Sequence, residues 1–135
     1  MAEPMQVAVV SPERVLFEGE ATQVITRTVG GGEIAFLAGH APFVGALAAS
    51  HTRIYKVDGS IQDVAVHGGF VEVSNNSVSI LSDTAELADS IDVARAEASR
   101  QRAEEQLRGS DGDEVDEARA ALNRANARLA AAGRD

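Results

Sequence analysis

Charged residues in the last third of the chain have a spacing that suggests ligand binding. Asp92 and Arg95 share one predicted helical turn, and Glu86 stands a few residues upstream. Arg124 and Arg128 are four residues apart, so on a helix both guanidinium groups project from one face. A guanidinium group binds phosphate through two parallel hydrogen bonds, while nearby carboxylates can accept hydrogen bonds from a base or a ribose. Folding the two segments together would bring these groups into one anion pocket.

The same charges also fit a simpler interpretation. Glu97 and Glu104 lie on the same predicted helix as Arg95 and are available as ion-pair partners. A solvated, ion-paired helix face would have the same spacing as a ligand pocket. Residue spacing alone therefore leaves both interpretations open.

Motifs for other kinds of chemistry are incomplete. The glycines at 30–32 are followed by neither a predicted helix nor a Lys-Ser or Lys-Thr pair, which a phosphate-binding loop requires, so they predict tight turns. Residues 111–116 begin like a calcium loop but lack its central glycine and final glutamate, so helix capping explains them better. The three histidines, His40, His51 and His67, do not have metal-ligand spacing on a helix. For His40 we expect a ring nitrogen bonded to nearby backbone. We expect no catalytic site and no metal site.

The overall composition narrows the class of protein. The net charge of −9 argues against nucleic-acid binding, because such binding requires clustered Lys and Arg. The absence of cysteine excludes a disulfide framework and thiolate chemistry. No apolar stretch approaches the roughly 20 residues that span a bilayer, and the N-terminus lacks the pattern of an export signal. A soluble cytoplasmic protein without a membrane-inserted segment is therefore expected.

The charge distribution divides the chain into two units. Residues 1–90 contain eleven acidic and four basic residues, while residues 91–135 contain ten acidic and eight basic ones, all arginine. This uneven charge is a first sign of two units, and the composition changes near residue 82. Together these features predict a β-domain at residues 1–86 and a helical domain at residues 87–135.

Short strand patterns separated by turn residues run from residue 6 to about residue 81. Asp58-Gly59 and Asn75-Asn76 are two-residue turn signals. Because aromatic residues make up 4% of the chain and tryptophan is absent, the core must come from aliphatic side chains. The pattern predicts an antiparallel β-sandwich or barrel. The expected strands cover residues 6–10, 15–17, 22–29, 33–37, 44–48, 52–57, 60–66, 70–74 and 77–81.

Alanine, arginine and glutamate dominate beyond residue 90 and predict two antiparallel helices. The first covers residues 92–108 with Ser90 or Asp92 as its N-cap, and the second is capped by Asp113 and closes at Gly133. Their apolar positions form a mostly alanine seam, which buries little apolar area. A weak seam suits an element that can undock, and it equally suits a marginal helical tail. The seam positions are Val93, Ala96, Ala103 and Leu107 in the first helix, with Arg100 between them, and Val115, Ala118, Leu122, Ala125, Leu129 and Ala132 in the second.

Several segments together point to a known family. The run VGGGEIAFLAGHAPFVGAL at 29–47 combines a glycine turn, a short strand and a Gly-His-Ala-Pro turn. The run VHGGFVEVSNNSVSILSDTAE at 66–86 contains Gly-Gly before a strand, an Asn turn and a strand followed by Asp-Thr-Ala-Glu. SIDVARAEA at 90–98 opens the first helix. In this order, the segments resemble the epsilon subunit of the bacterial F-type (rotary, proton-translocating) ATP synthase, almost from end to end.

The resemblance implies a fold and a role. The expected fold is β + α, an N-terminal antiparallel β-sandwich of about ten strands followed by a C-terminal antiparallel two-helix hairpin. The implied role is that of a non-catalytic central-stalk subunit that couples proton flow to ATP synthesis and inhibits ATP hydrolysis through a movable hairpin. The implied partners are the gamma subunit, the membrane rotor c-ring and the alpha/beta catalytic head. Glu33 and His40 match positions that face the ring. The complex would sit at the cytoplasmic face of the bacterial cell membrane, with this chain attached peripherally.

The resemblance also bears on the charged cluster. Many bacterial relatives bind ATP through an Ile/Leu-Asp-x-x-Arg-Ala motif, which Ile91, Asp92, Arg95 and Ala96 match, with Glu86 upstream. It thereby implies Mg-ATP as a regulatory ligand rather than a required cofactor. On the second helix, Arg124 and Arg128 fit the family in spacing after a one-residue shift across the turn.

Two other classes of protein remain as alternatives. One is a stand-alone ligand-binding β-sandwich with a helical oligomerisation tail, which would form a stable homodimer. The other is a small hydrolase, which is disfavoured because no nucleophile–base pair is identifiable.

Overall fold

The computed structural model describes residues 3–109 and 111–134 as a β-rich N-terminal part followed by two helices. A short 3-10 helix, Ala88–Ser90, precedes α1, which covers Val93–Gly109, and α2 covers Asp113–Ala131. Ser110, in the predicted interhelical turn, lies outside the described residues, as do the predicted outer domain limits at residues 1 and 135. The strands are β1 Met5–Val10, β2 Val15–Thr28, β3 Gly32–Phe36, β4 Phe43–Ala46, β5 Ala49–Lys56, β6 Ile61–His67, β7 Phe70–Ser74, β8 Ser77–Leu81 and β9 Glu86–Leu87.

The strands form one hydrogen-bonded path that folds over as a β-sandwich. Its order is β4-β7-β8-β1-β2-β5-β6-β9, and β3 also pairs with β2. The long strand β2 joins the two layers, because its first half pairs with β1 and its second half with β3 and β5. The predicted sandwich followed by a two-helix hairpin is thereby confirmed.

Aliphatic side chains from both layers fill the core, as predicted from the low aromatic content. Val9 of β1 and Val71 of β7 are fully buried together with Ile54 of β5 and Val64 of β6. Phe36 is the large aromatic side chain buried among them. Alternate residues along each strand point into this core, so the opposite faces are free to bind the helices or a partner.

Several details of the strands differ from the prediction. The described residues contain nine strands rather than about ten, and β1 pairs with β8 in parallel rather than antiparallel. The expected break at residues 18–20 is wrong, since Gly19 continues β2 opposite Val7. Glu86 and Leu87 lie outside the expected strands, yet they pair with β6.

The helix ends are determined by local hydrogen bonds. Asp92 caps α1 as predicted, since its Oδ1 accepts a hydrogen bond from the Arg95 backbone N–H at 3.1 Å. The predicted Asp113 cap is wrong, because Gly112 occupies the N-cap position of α2 with φ 62° and makes no side-chain cap bond. At the other end Gly133 adopts φ 77°. Its N–H and that of Arg134 bond back to carbonyls of α2, so the helix closes in a Schellman motif.

The hairpin uses two faces of α2. The predicted seam is confirmed at Ala96, Ala103, Ala118, Ala125 and Leu129, all of which are buried. A second face, which the seam pattern did not reveal, places Ala127 and Ala131 against Ala65 of β6. The helix α2 therefore packs over β5 and β6, on the outer face of the sandwich rather than within its core. Small alanine contacts hold this docked position.

Candidate functional site

A charged cavity lies where the sandwich meets the two helices. It has a volume of about 290 Å³, just below the roughly 300–1,000 Å³ range of small-molecule sites. Strand β9, the 3-10 helix, the first turns of α1 and the last turn of α2 all contribute to it. The lining residues are Glu86, Ser90, Asp92, Arg95, Ala96, Ser99 and Arg128.

Five of the seven residues proposed from the sequence for a nucleotide site line this cavity. They are Glu86, Asp92, Arg95, Ala96 and Arg128. Ile91 instead packs into the apolar cluster between α2 and the sheet. Arg124 is exposed and lines a separate groove with Gln106 and Glu117. The cavity brings together one arginine from each helix, Arg95 of α1 and Arg128 of α2. Arg124, the other arginine proposed on α2, does not line it.

Glu86 is the residue through which α2 contacts the sandwich at this site. Its Oε1 atom accepts a 2.6 Å hydrogen bond from Nε of Arg128 and lies 2.9 Å from Nε2 of His67. Burial opposes the charge on this carboxyl, but the hydrogen bonds from Arg128 and His67 outweigh burial and lower its pKa below 4.5. Glu86 is therefore a carboxylate that bridges β6 and α2.

Sequence reasoning missed three residues of this region. Ser99 could have been found, because it follows Arg95 by four residues and so lies on the same helix face. Ser90 was considered as a cap but not as a lining residue. Nothing in the sequence placed His67 in this region. Its partner Glu86 is distant in sequence and comes close to His67 only because β6 pairs with β9.

The charges define what the cavity can bind. Arg95 and Arg128 offer guanidinium donors to an anion, and the Asp92 carboxylate lies at the same opening. The second carboxylate oxygen of Glu86 can accept a hydrogen bond from a ligand, and the hydroxyl groups of Ser90 and Ser99 can donate or accept one. This set suits a small ligand that carries negative charge at one end and hydrogen-bond donors at the other.

Glu33 and His40 do not line the cavity. Glu33 lies near the start of β3, opposite Arg27 of β2, and His40 lies in the loop that follows β3. Nδ1 of His40 donates to the Ala41 carbonyl at 2.7 Å, which confirms the expected backbone bond. The His40 ring also meets Phe36 edge-on, with ring centroids 4.9 Å apart. Glu33 is exposed in β3 and accepts a hydrogen bond from Arg53 at 3.2 Å. The loop is tied to the β7–β8 turn, since Gly39 N–H donates to Asn76 Oδ1 at 2.7 Å, so the two connections meet.

A row of apolar side chains crosses the outer face of four strands. In register, Ala46 of β4 lies beside Phe70 of β7, Phe70 beside Leu81 of β8, and Leu81 beside Val10 of β1. Phe70 is 55% exposed and Leu81 45% exposed. We call these four residues the apolar row. Exposed apolar residues that are contiguous often mark an interaction surface.

Comparison with known proteins identifies the family. Residues 4–88 match the family model described as the ATP synthase delta/epsilon chain β-sandwich domain, and residues 89–133 match the model for the long α-helix domain of the same chain. The chain belongs to the ATP synthase delta/epsilon chain family. This membership confirms the predicted class, an accessory chain of ATP synthase, and decides against the stand-alone sandwich and the hydrolase.

Curated relatives in this family match along nearly their whole length. The ATP synthase epsilon chain of Desulfitobacterium hafniense is 43% identical over 132 residues, covering 98% of each chain. That of Desulforamulus reducens is 44% identical over 134 residues, covering 98% of this chain and 99% of the relative. That of Clostridium kluyveri is 38% identical over 129 residues, covering 96% and 97%. The family match thus includes both the sandwich and the hairpin.

Solved structures support the fold of this family member. A chain in the cryo-EM structure of the Euglena gracilis mitochondrial ATP synthase (OSCP/F1/c-ring) superposes with a TM-score of 0.82 at 21% identity, covering 96% of this chain and 81% of that one. A chain of the Tetrahymena thermophila mitochondrial ATP synthase central stalk/c-ring structure gives 0.60 at 16% identity, covering 97% and 98%. No helix in the described part of the chain is both long and apolar enough to span a bilayer.

Proposed function

We propose that this chain is the epsilon-type central-stalk subunit of a bacterial proton-translocating ATP synthase. There it couples proton translocation to ATP synthesis and inhibits ATP hydrolysis through its C-terminal hairpin. The observation that carries this proposal is the way α2 is held on the sandwich. Its contacts with the sheet include the alanine residues Ala65, Ala127 and Ala131 and the hydrogen bond from Arg128 to Glu86. An apolar interface made mainly of alanine buries little area per side chain. It therefore suits a hairpin that can leave the sandwich, and we call this hairpin of α1 and α2 the arm.

The surfaces of the sandwich suggest where its partners bind. The apolar row offers a contact for the gamma subunit, because its exposed side chains would be buried by a neighbouring chain. Glu33, near the start of β3, and His40, in the loop after β3, would face the membrane rotor c-ring. The helices, once extended, would reach the alpha/beta catalytic head. In this assembly the chain is peripheral at the cytoplasmic face of the bacterial cell membrane, and residues 1–86 act as the anchored domain and 87–135 as the moving one.

We further propose that Mg-ATP is a regulatory ligand of the charged cavity. Arg95 and Arg128 would bind the phosphates, while Glu86 and Asp92 would accept hydrogen bonds from the base or ribose. The buried Ala96 leaves room beside them. Arg124 does not line this cavity in the docked arrangement. A ligand that binds the docked form alone stabilises it by about 2.7 kcal/mol at a hundredfold excess over Kd. This stabilisation is large compared with what contacts between small alanine side chains contribute to docking.

The regulatory role is tested by removing the arm from the assembled complex. Deletion of residues 91–135 should leave assembly intact and raise ATP hydrolysis by the complex, because the inhibiting element is gone. The control is a complex carrying the full chain at the same stoichiometry. Unchanged hydrolysis in the deleted complex would disprove the inhibitory role.

The nucleotide site is tested by calorimetry on the full chain. Titration with ATP and Mg²⁺ should give heat for the unmodified protein and none for Arg95→Ala. Arg119→Ala is the matched control, because Arg119 is an exposed arginine of α2 that does not line the cavity. Equal heats for all three proteins would remove the site from the proposal.

A further inference from the structure

His67 is a buried residue that the proposed function does not use. It ends β6 opposite Ala49 of β5, and its side chain is 1% exposed. Its Nε2 lies 2.9 Å from Oε1 of Glu86, and the same oxygen accepts the 2.6 Å bond from Arg128. One carboxylate oxygen therefore joins the histidine of the sandwich to the arginine of the arm.

The hydrogen bonds determine the protonation state that fits this arrangement. A carboxylate can only accept hydrogen bonds, so Nε2 of His67 must carry the proton that it donates to Glu86. In the neutral ring Nδ1 is then bare, and within the described residues it is buried without a hydrogen-bond partner. A second proton would have to reside on Nδ1, where it would be buried and unpaired, at a substantial cost in free energy. The docked structure accommodates the neutral imidazole.

Charged groups approach His67 from three elements. Glu86 comes from β9, Arg128 and Arg124 come from α2, and Asp83 of the loop after β8 lines the same outer groove as His67. Burial lowers the pKa of His67 below 6.5, the hydrogen bond with Glu86 opposes this, and the positive charge of the two arginines lowers the pKa further. Undocking of α2 would remove both arginines and admit water to the ring.

We propose that His67 is a proton-sensitive positioning residue: its neutral ring holds Glu86 toward Arg128 in the docked arm, and protonation of the ring releases α2. This proposal rests on the movable arm of the proposed function and not on its nucleotide site. Because the docked state binds the proton less tightly, docking is strongest above the ordinary pKa of about 6.5 and weakens as the pH falls through it. The docking equilibrium constant changes by up to about tenfold for each unit by which docking lowers the pKa.

The experiment measures docking directly in the full, ligand-free chain. The protein contains no cysteine, so Val57→Cys and Ala120→Cys, both at exposed positions on the sandwich and on α2, allow clean spin labelling. Distances from double electron–electron resonance are recorded between pH 8 and pH 5.5. The docked distance should dominate at pH 8, and a second, broader population should grow as the pH falls below about 6.5.

The matched variants are His67→Gln and His51→Gln. Glutamine can donate one hydrogen bond to Glu86 but cannot take up a proton in this range, so His67→Gln should abolish the pH dependence. His51 is the control because it also contacts a carboxylate, Asp63 at 2.6 Å, and also lies beneath α2. His51→Gln should leave the pH dependence intact. A pH dependence that survives in His67→Gln, or disappears in His51→Gln, overturns the proposal.

A second measurement uses the unmodified protein, in case His67→Gln does not fold. The three imidazoles are titrated by NMR while α2 backbone resonances are followed. His67 should titrate below its ordinary range, and α2 shifts should move with the same midpoint. Titration of His67 at or above about 6.5 with α2 unmoved contradicts the proposal. Neither measurement contains nucleotide, so failure of Mg-ATP binding leaves this inference standing, and its own failure leaves the nucleotide site untouched.

Discussion

Removal of the Arg128 side chain should loosen the arm without unfolding the sandwich. Its Nε donates to Glu86 at 2.6 Å, and both side chains are 31% exposed. Hydrogen bonds to charged groups contribute about 1.5–3 kcal/mol when buried, while exposed ion pairs contribute about 0–1 kcal/mol. For this partly exposed pair we expect a loss of about 1–2 kcal/mol, a factor of about 5–30 in the docking equilibrium.

Amide hydrogen exchange followed by mass spectrometry measures this change. In Arg128→Ala the peptides of α2 should exchange about 5–30 times faster, while peptides of β1 and β8 should keep their protection. Glu86→Gln should show a similar effect, since it removes the carboxylate and leaves Arg128 in the last turn of α2, where it also favours the helix dipole. Arg124→Ala is the control at an exposed position one turn earlier, and it should change stability by less than about 0.5 kcal/mol. Unchanged α2 protection in Arg128→Ala, or an equal effect in Arg124→Ala, would refute the reasoning.

Three further predictions test other parts of the structure. Asp92→Ala removes the cap bond to the Arg95 N–H and should cost about 1 kcal/mol, seen as faster exchange in the first turn of α1. Gly69→Ala should destabilise the sandwich by at least about 1–3 kcal/mol in urea unfolding, because φ is +108° and the new Cβ would clash with the backbone carbonyl oxygen of Leu81. Gly68→Ala shares a positive φ but meets open space, so it should cost less; an equal loss would show that the close approach is unimportant. Ala125→Leu places a larger side chain at a fully buried seam position and should weaken the hairpin by about 1–3 kcal/mol; unaltered exchange in both helices would contradict the tight seam.

Local signals in the sequence predicted the turns well. Asn75 and Asn76 adopt φ 52° and 58°, and Gly59 adopts φ 91°, as their turn types require. Asn and Gly tolerate this left-handed region better than other residues, so the amino-acid types carry the information themselves. The cap of α1 at Asp92 was also predictable from the amino-acid type, because Asp is a preferred N-cap residue.

Features that depend on distant pairing could not be predicted. Gly19 suggested a break, yet its pairing with Val7 and the Phe17 ring lying across it keep β2 continuous. The contact between His67 and Glu86 requires β9, a strand of two residues that exists because β6 is beside it. Tertiary pairing overrides weak local propensity in such cases.

The candidate site was partly predictable from helical periodicity. Spacing placed Arg124 and Arg128 on one face but did not show which of them faces the sandwich. Residues four apart on a helix differ by about 40° in direction, and the docking of Ala127 and Ala131 on the sheet turns Arg128 toward Glu86. The second alanine face of α2 therefore determines that Arg128, and not Arg124, faces the sandwich. The seam pattern in the sequence did not show that this face is an interface.

The parallel pairing of β1 with β8 has a consequence for biosynthesis. The first strand of the chain lies between β2 and β8, with Gln6 beside Ser77, so one of its edges stays unsatisfied until β8 has emerged from the ribosome. Closing so long a segment carries an entropic cost that local hairpins do not have. A nascent chain that stops before β8 would expose the edge of β1 to neighbouring chains. The helices α1 and α2 follow β9 in the chain, so every strand of the sandwich is synthesised before the helices that pack on it.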